Sequence, residues 1–230
     1  MRYIKHIVEP DRLLLSWQAK SERLRMFVAE LKRNGDDGNL VYLKESEDFS
    51  KAQILGFEKY PGFDTEKDVH ENVLGSFMKR LPPRSRGDFS RFLDALRIKS
   101  DAEVSNFALL GYSGAKLPDD DFTIIHPFKN ASPPFELMLF VQGYRYYKDQ
   151  LPSNALSQDM QAGFEAEPDN PKDPEAIKII INDVKVGYVN RGLTGSFHEW
   201  MQAGLAISAY VERINGIEQN PEIYLYVSVK

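Results

Sequence analysis

The sequence predicts an α+β protein in which a small antiparallel sheet with a helical cluster precedes a small, partly closed β-barrel carrying one helix. Three observations lead there. Strand-like apolar runs occupy both ends of the chain, whereas residues 69–110 carry apolar side chains at helical spacing. The stretch His126-Pro127-Phe128-Lys129-Asn130-Ala131-Ser132-Pro133-Pro134 separates the two parts, because three prolines among small polar residues disfavour both helix and central strand. With 230 residues, 42% hydrophobic and 27% charged, the chain can bury about 70% of its unfolded surface, which excludes a disordered or fibrous protein. The expected organisation is a first domain over 1–130, a linker over 131–134 and a barrel domain over 135–230.

In the first part, Arg12 to Trp17 and Arg25 to Lys32 read as strands. Asn34-Gly35-Asp36-Asp37-Gly38-Asn39 supplies the turn to a third, Leu40 to Leu43. From Val69 the period changes. Val73, Phe77 and Leu81 share one helix face that Pro82-Pro83 ends, Asp88 can cap a second helix carrying Phe89, Phe92, Leu93 and Leu96, and Ser100-Asp101-Ala102-Glu103 is a capping box for a third. In the second part, Leu137 to Tyr147, Gln161 to Ala166, Ala176 to Ile181 and Val184 to Val189 are strand-like, the last two joined by an Asn182-Asp183 turn. Leu193, Phe197, Trp200 and Met201 form one helical stripe with Gly204 as its stop. Ile207 to Ile214 and Glu222 to Val229 complete the barrel around an Asn215-Gly216 turn.

Composition narrows function. Without cysteine there is no disulfide framework, zinc-thiolate site or thiol nucleophile. No apolar run approaches the ~20 residues of a membrane span, and Glu9-Pro10 interrupts the start before a signal-peptide core could form, so a soluble, cytoplasmic protein with no membrane partner is expected. The formal charge is −5; residues 1–134 hold 21 basic and 21 acidic side chains, and residues 135–230 hold 8 and 13. Nonspecific nucleic-acid binders draw affinity from an overall basic surface, so any such role here rests on a local patch or on recognition of a strand end.

The most informative stretch is Glu167-Pro168-Asp169-Asn170-Pro171-Lys172-Asp173-Pro174-Glu175-Ala176-Ile177-Lys178-Ile179. Its prolines fix the backbone, and Asn170 and Asp173 can bond their own backbone as Asx-turns. The same loop can also present an amide and a carboxylate to a ligand. Together with Gly143-Tyr144-Arg145-Tyr146-Tyr147 before it and Val186-Gly187-Tyr188-Val189 followed by a helix, the loop makes residues 135–230 resemble the HIRAN domain. The resemblance implies a modified OB-like barrel of a kind that stands alone in bacteria or is fused to DNA-remodelling helicases and nucleases, and that in the best understood eukaryotic members grips the 3′-hydroxyl end of single-stranded DNA. It implies that Arg145 pairs with a phosphate and Tyr146 faces the terminal nucleotide. Asp173 accepts the 3′-hydroxyl proton, Asn170 bonds the terminal sugar or base, and Tyr188 and Arg191 lie against the backbone. Lys172 departs from the pattern by placing a charge where an aromatic platform stands, so weaker end discrimination is expected. On packing alone, the tyrosines also read as ordinary strand residues, and Arg145 as the partner of a nearby carboxylate.

Arg23 to Ala29, the Tyr42 strand, Gly56-Phe57-Glu58-Lys59-Tyr60-Pro61 and Phe77 to Arg84 loosely resemble the N-terminal subdomain of HipA-type toxin kinases. That resemblance implies a shared fold or a module docking a kinase-like protein partner, because no phosphate loop or catalytic Asp–Asn pair is present. Lys79, Arg80, Arg84, Arg86, Arg91, Arg97 and Lys99 against Asp88 and Asp94 give the one strongly basic stretch, a secondary DNA track or a solvated helix face. No catalytic residue, metal or cofactor is expected. The four histidines lack triad or metal spacing, Asp119-Asp120-Asp121 reads as a turn, and Pro168-Asp169 with Asp183-Val184-Lys185 matches only a short, loose nuclease pattern.

Overall fold

A computed structural model describes residues 2–21, 24–118, 120–148, 156–217 and 220–230. The chain divides into two units, one of Glu9–Leu93 with Glu103–Pro127, the other of Met1–Val8, Asp94–Ala102 and Phe128–Lys230.

The first unit holds a five-stranded antiparallel sheet. Its strands are β1 (Arg12–Gln18), β2 (Arg25–Asn34), β3 (Asp37–Tyr42), β4 (Val69–His70) and β5 (Phe122–Ile125), in the order β4-β3-β2-β1-β5. The six-residue turn expected between β2 and β3 is tighter: Asn34 pairs with Asp37, leaving only Gly35 and Asp36 in the turn. Helix α1 (Glu47–Ile54) was not expected, although its signal is present. Ser46 Oγ accepts from Phe49 N (3.1 Å), and Glu47 and Asp48 favour the positive helix start.

The helix expected over Val73 to Leu81 is only five residues, α2 (Leu74–Met78), and Val69 and His70 before it pair with β3. Turns of Arg80 N to Phe77 O (3.0 Å) and Leu81 N to Met78 O (3.0 Å) continue the rotation, which keeps Val73, Phe77 and Leu81 buried without a regular helix. Helix α3 (Phe89–Ala95) follows Asp88 as expected. The third helix, α4 (Asn106–Ser113), starts later than the Ser100–Glu103 box implied. Ser105 is its cap, accepting from Ala108 N (3.0 Å).

In the second unit, six antiparallel strands run in the order β6-β11-β10-β7-β8-β9. They are β6 (Phe135–Phe140), β7 (Gln161–Ala166), β8 (Ile177–Ile181), β9 (Val184–Tyr188), β10 (Ile207–Ile217) and β11 (Asn220–Val229). The two edges meet: Gln142 N donates to Tyr188 O and Tyr188 N donates to Gln142 O, both at 2.9 Å. This single bridge partly closes the barrel. Helix α5 (Thr194–Gln202) packs against β7 and β6, its Phe197 ring 4.8 Å from Phe164 and its Trp200 ring 5.1 Å from Phe135. Phe135, Phe197 and Trp200 are buried, and burying a large apolar side chain contributes roughly 1.5–3 kcal/mol of transfer free energy.

Two strand expectations change. Leu137 to Tyr147 is not one strand: Gly143 takes φ 76°, and Tyr144–Tyr146 form a single 3-10 turn, so Tyr146 and Tyr147 leave the sheet. Asn215-Gly216 is not the final turn, since both residues pair with Glu222 and Pro221 and the connection falls at 218–219, outside the described residues. The Asn182-Asp183 turn stands as expected, with φ 51° and 62° as a type I′ hairpin requires.

Segments from early in the chain complete this unit. Glu212 on β10 is fully buried and accepts from Arg97 Nε (2.8 Å) and Arg2 Nη1 (3.2 Å). Glu136 on β6 accepts from the backbone N–H groups of Lys5 (2.9 Å) and His6 (3.0 Å). Arg97 is therefore a structural ion-pair partner, not part of a solvent-facing basic stretch. Removing one partner of a buried pair leaves the other charge unpaired, so Glu212→Gln is expected to lower unfolding free energy by about 3–5 kcal/mol in urea titrations. An unchanged midpoint would show that the pair contributes nothing. At the barrel seam, a Cβ on Gly187 would collide with the Gln142 carbonyl and lie 2.6 Å from Val141 Cγ1. Gly187→Ala is expected to cost about 1–3 kcal/mol by the same measurement.

Candidate functional site

The strand β9 carries a bulge. Ile180 pairs with Lys185 and Ile179 with Gly187, so Val186 is the extra residue. In a regular strand, side chains three residues apart point to opposite faces. The bulge shifts that parity and brings Lys185 Nζ to 2.8 Å from Tyr188 Oη.

Around this pair a polar cluster forms. Lys185 Nζ donates to Glu167 Oε1 (2.9 Å), and Tyr188 Oη donates to Glu167 Oε2 (2.8 Å). Asn170 Nδ2 donates to Glu167 Oε2 (2.6 Å) and to Tyr188 Oη (3.0 Å). Tyr147 Oη donates to Tyr188 Oη at 3.3 Å, the longest bond of the group. The ammonium also lies 5.1 Å from the centre of the Tyr147 ring and 4.8 Å from that of Tyr188. The hydrogen bond from Lys185, with those from Tyr188 and Asn170, holds the Glu167 carboxyl at about 2 against the opposing effect of burial. Burial disfavours the Lys185 ammonium, but its bonds to Glu167 and Tyr188 outweigh that and raise its pKa. Burial pushes the Tyr188 phenol up to about 12, with Lys185 opposing the shift. At neutral pH the cluster is a carboxylate, an ammonium and a neutral phenol.

The loop between β7 and β8 is pinned from inside as well. Glu167 N donates to Ala176 O (2.9 Å) at its base. Asn170 Oδ1 accepts from the backbone N–H groups of Lys172 (3.0 Å) and Asp173 (3.3 Å), and Asp173 Oδ1 accepts from Glu175 N (3.0 Å). His198 of α5 donates through Nε2 to the Glu175 carbonyl (3.1 Å).

These contacts sort the expected site residues. Both protons and the oxygen of the Asn170 amide are used within the protein, so Asn170 shapes the loop instead of offering a free amide to a ligand. The Tyr188 hydroxyl is likewise spent internally. Among the described residues, the Lys172 ammonium and Asp173 Oδ2 have no protein partner. Arg145 forms no ion pair there; it is exposed on the 3-10 turn, with Cζ 4.9 Å from the Tyr146 ring and Nη2 donating to Tyr146 Oη (3.2 Å). Tyr146 is 60% exposed, unlike a packed strand residue. Arg191 is half-buried just beyond β9, and its carbonyl accepts from Thr194 Oγ1 (3.0 Å). The Tyr147–Tyr188 bond links the 3-10 turn to the strand that holds the loop.

Glu167, Tyr147 and Lys185 are the members that sequence reasoning assigned no DNA-binding role. Glu167 is the first residue of the quoted loop, and Gly187 was the only trace of the bulge that brings Lys185 to it. As for the loose nuclease pattern, Lys185 is committed to Glu167 and Tyr188, and Asp183 is exposed in a turn. Among the described residues no three His, Asp or Glu side chains group to hold a metal.

In the first unit the basic stretch is thinner than expected. Arg80 is buried: it binds the Asp120 carboxylate with two nitrogens, donates to the carbonyls of Ala115 (2.7 Å) and Phe122 (3.3 Å), and reaches Tyr60 Oη (3.3 Å). It is a core strut, its guanidinium committed within the protein. Arg86 pairs with Asp88, and Arg84 donates to Asn106 Oδ1 and to the Val104 carbonyl. Lys79 and Arg91 are exposed. Asp120 thus belongs to this strut, while Asp119 and Arg23 lie outside the described residues.

Comparison with known proteins bears on the second unit. Residues 135–230 match the family model of the HIRAN domain. The crystal structure of the HIRAN domain of human HLTF is 24% identical, with a TM-score of 0.34 over 41% of this chain and 74% of that one. A crystal structure of a Lactobacillus plantarum protein is 23% identical, with a TM-score of 0.34 over 40% of this chain and 92% of that one. The NMR structure of the HLTF HIRAN domain in its DNA-bound conformation is 19% identical, with a TM-score of 0.29 over 41% of this chain and 73% of that one. No curated protein matches the chain.

The Glu167 carboxylate sets a pH signature. Its pKa is depressed from 4.5 to about 2, so its stabilisation is complete above about pH 4.5 and is lost as pH falls towards 2. Thermal unfolding is expected to show wild type losing stability across that window more steeply than Glu167→Gln. At pH 7 the variant is expected to be less stable by about 1–3 kcal/mol. Parallel pH profiles would contradict the depressed carboxyl.

Proposed function

We propose that residues 135–230 form a non-catalytic DNA-binding module that takes single-stranded DNA at or near its 3′ end. The observation that carries this reading is the division of labour in the loop. Glu167, Asn170, Lys185 and Tyr188 are consumed in holding it, while among the described residues Lys172 and one oxygen of Asp173 remain uncommitted; Tyr147 and Tyr188 link the loop to the 3-10 turn that exposes Arg145 and Tyr146. Preorganised groups of this kind bind without the cost of ordering a loop. The match to the HIRAN family model over the same residues supports it.

The chemistry follows from what a strand end offers. A terminal 3′-hydroxyl is a donor that an internal phosphodiester lacks, and Asp173 Oδ2 is a free acceptor for it. Arg145 and Lys172 meet phosphates, and the Tyr146 ring offers a base a stacking face worth ~1–3 kcal/mol. Asn170 and Tyr188 act behind these groups, not against the ligand. A protein partner on the first unit is the second reading, favoured by Ile54, 84% exposed at the end of α1.

Fluorescence anisotropy at low salt with single strands ending in 3′-hydroxyl or 3′-phosphate, and with blunt duplex, tests the first reading. The hydroxyl-ended strand is expected to bind best. Asp173→Ala is expected to weaken it about tenfold and abolish the difference between the two ends. Lys172→Tyr is expected to sharpen end discrimination by replacing a sequence-blind charge with a stacking ring. A folded chain that binds none of the three at low salt overturns the reading. Recovery of a protein partner that Ile54→Asp loses would then support the alternative.

A further inference from the structure

We propose that Lys185 is a positioning residue that couples the two faces of the site, so that Arg145 on the 3-10 turn and Lys172 and Asp173 on the loop engage one ligand as a unit. This rests on the DNA-binding reading above and extends it to a residue with no direct ligand role.

Three features carry it. Lys185 Nζ reaches the first residue of the loop through Glu167 (2.9 Å) and the Tyr188 hydroxyl (2.8 Å). It also lies 5.1 Å from the ring of Tyr147, the residue directly after the 3-10 turn. An ammonium has three donors. Two are used in these bonds, and the remaining side faces an aromatic ring, so little is left for a phosphate. The side chains of Lys185 and Glu167 are only 26% and 24% exposed, which separates this pair from a screened surface salt bridge. Finally, the β9 bulge that Gly187 permits is what sets Lys185 on the same face as Tyr188.

The test uses the full chain and a single-stranded oligonucleotide ending in a 3′-hydroxyl. Lys185→Met is expected to weaken binding about tenfold, and Lys185→Arg to retain most of it. In the wild-type background, Arg145→Ala and Asp173→Ala are expected to be non-additive; in the Lys185→Met background they are expected to add. Preserved coupling in that background, or affinity within twofold of wild type, overturns the proposal. If Lys185→Met does not fold, Tyr188→Phe removes the shared hydroxyl and is expected to abolish the coupling in the same way. If the wild type binds no oligonucleotide, the functional reading fails by itself. Amide hydrogen exchange at Lys172 and Asp173 then decides the positioning role: exchange at least tenfold faster in Lys185→Met, or in Tyr188→Phe where Lys185→Met does not fold, supports it, and unchanged exchange overturns it.

Discussion

The second unit is organised around Tyr188. Its backbone exchanges two hydrogen bonds with Gln142 and so partly closes the barrel, while its hydroxyl collects Lys185, Glu167, Asn170 and Tyr147. One residue therefore fixes the seam of the sheet and the base of the loop together. The close approach at the seam demands glycine at 187, and the bulge there sets the face on which Lys185 emerges. Barrel closure and site geometry are consequences of the same local irregularity. A change that relaxed the bulge would remove the Lys185 bonds to Glu167 and Tyr188 even if every loop residue were kept.

The loop shows two motif residues with different commitments. Asn170 and Asp173 look alike in local sequence, both small polar residues directly before a proline. In the structure Asn170 spends every donor and acceptor on Glu167, Tyr188 and two backbone amides, whereas Asp173 spends one oxygen on Glu175 N. The difference is one of hydrogen-bond capacity, which periodicity and spacing do not encode. Arg80 makes the same point in the first unit. It stands among exposed arginines in the sequence, yet it is the buried partner of Asp120.

Much of the fold was legible because local chemistry and tertiary structure agree. The bounds of β7, the Asn182-Asp183 hairpin, and the Phe197–Trp200 face of α5 all follow from apolar patterning and turn residues. The failures are of another kind. Tyr146 and Tyr147 carry strand propensity but follow Gly143, whose positive φ ends the strand. The Ser100–Glu103 box has the residues of a helix start, but Ser105 makes the actual cap. Helix α1 went unread although Ser46 and its acidic followers announce it. The contributions of Arg2, Arg97 and the Lys5–His6 backbone to the second unit are long-range, fixed by buried Glu212 and Glu136, and no local pattern predicts them.

In the proposed function, the internally bonded loop and the 3-10 turn linked to it through Tyr147 form one receiving surface. Backbone amide shift mapping during titration with a short single-stranded DNA tests that most directly. The largest perturbations should fall together on Tyr144–Lys148 and Asn170–Glu175, with Ala209–Val211 in the barrel wall unmoved. Perturbations confined to one of the two segments, or centred on Lys79–Arg91, would contradict it.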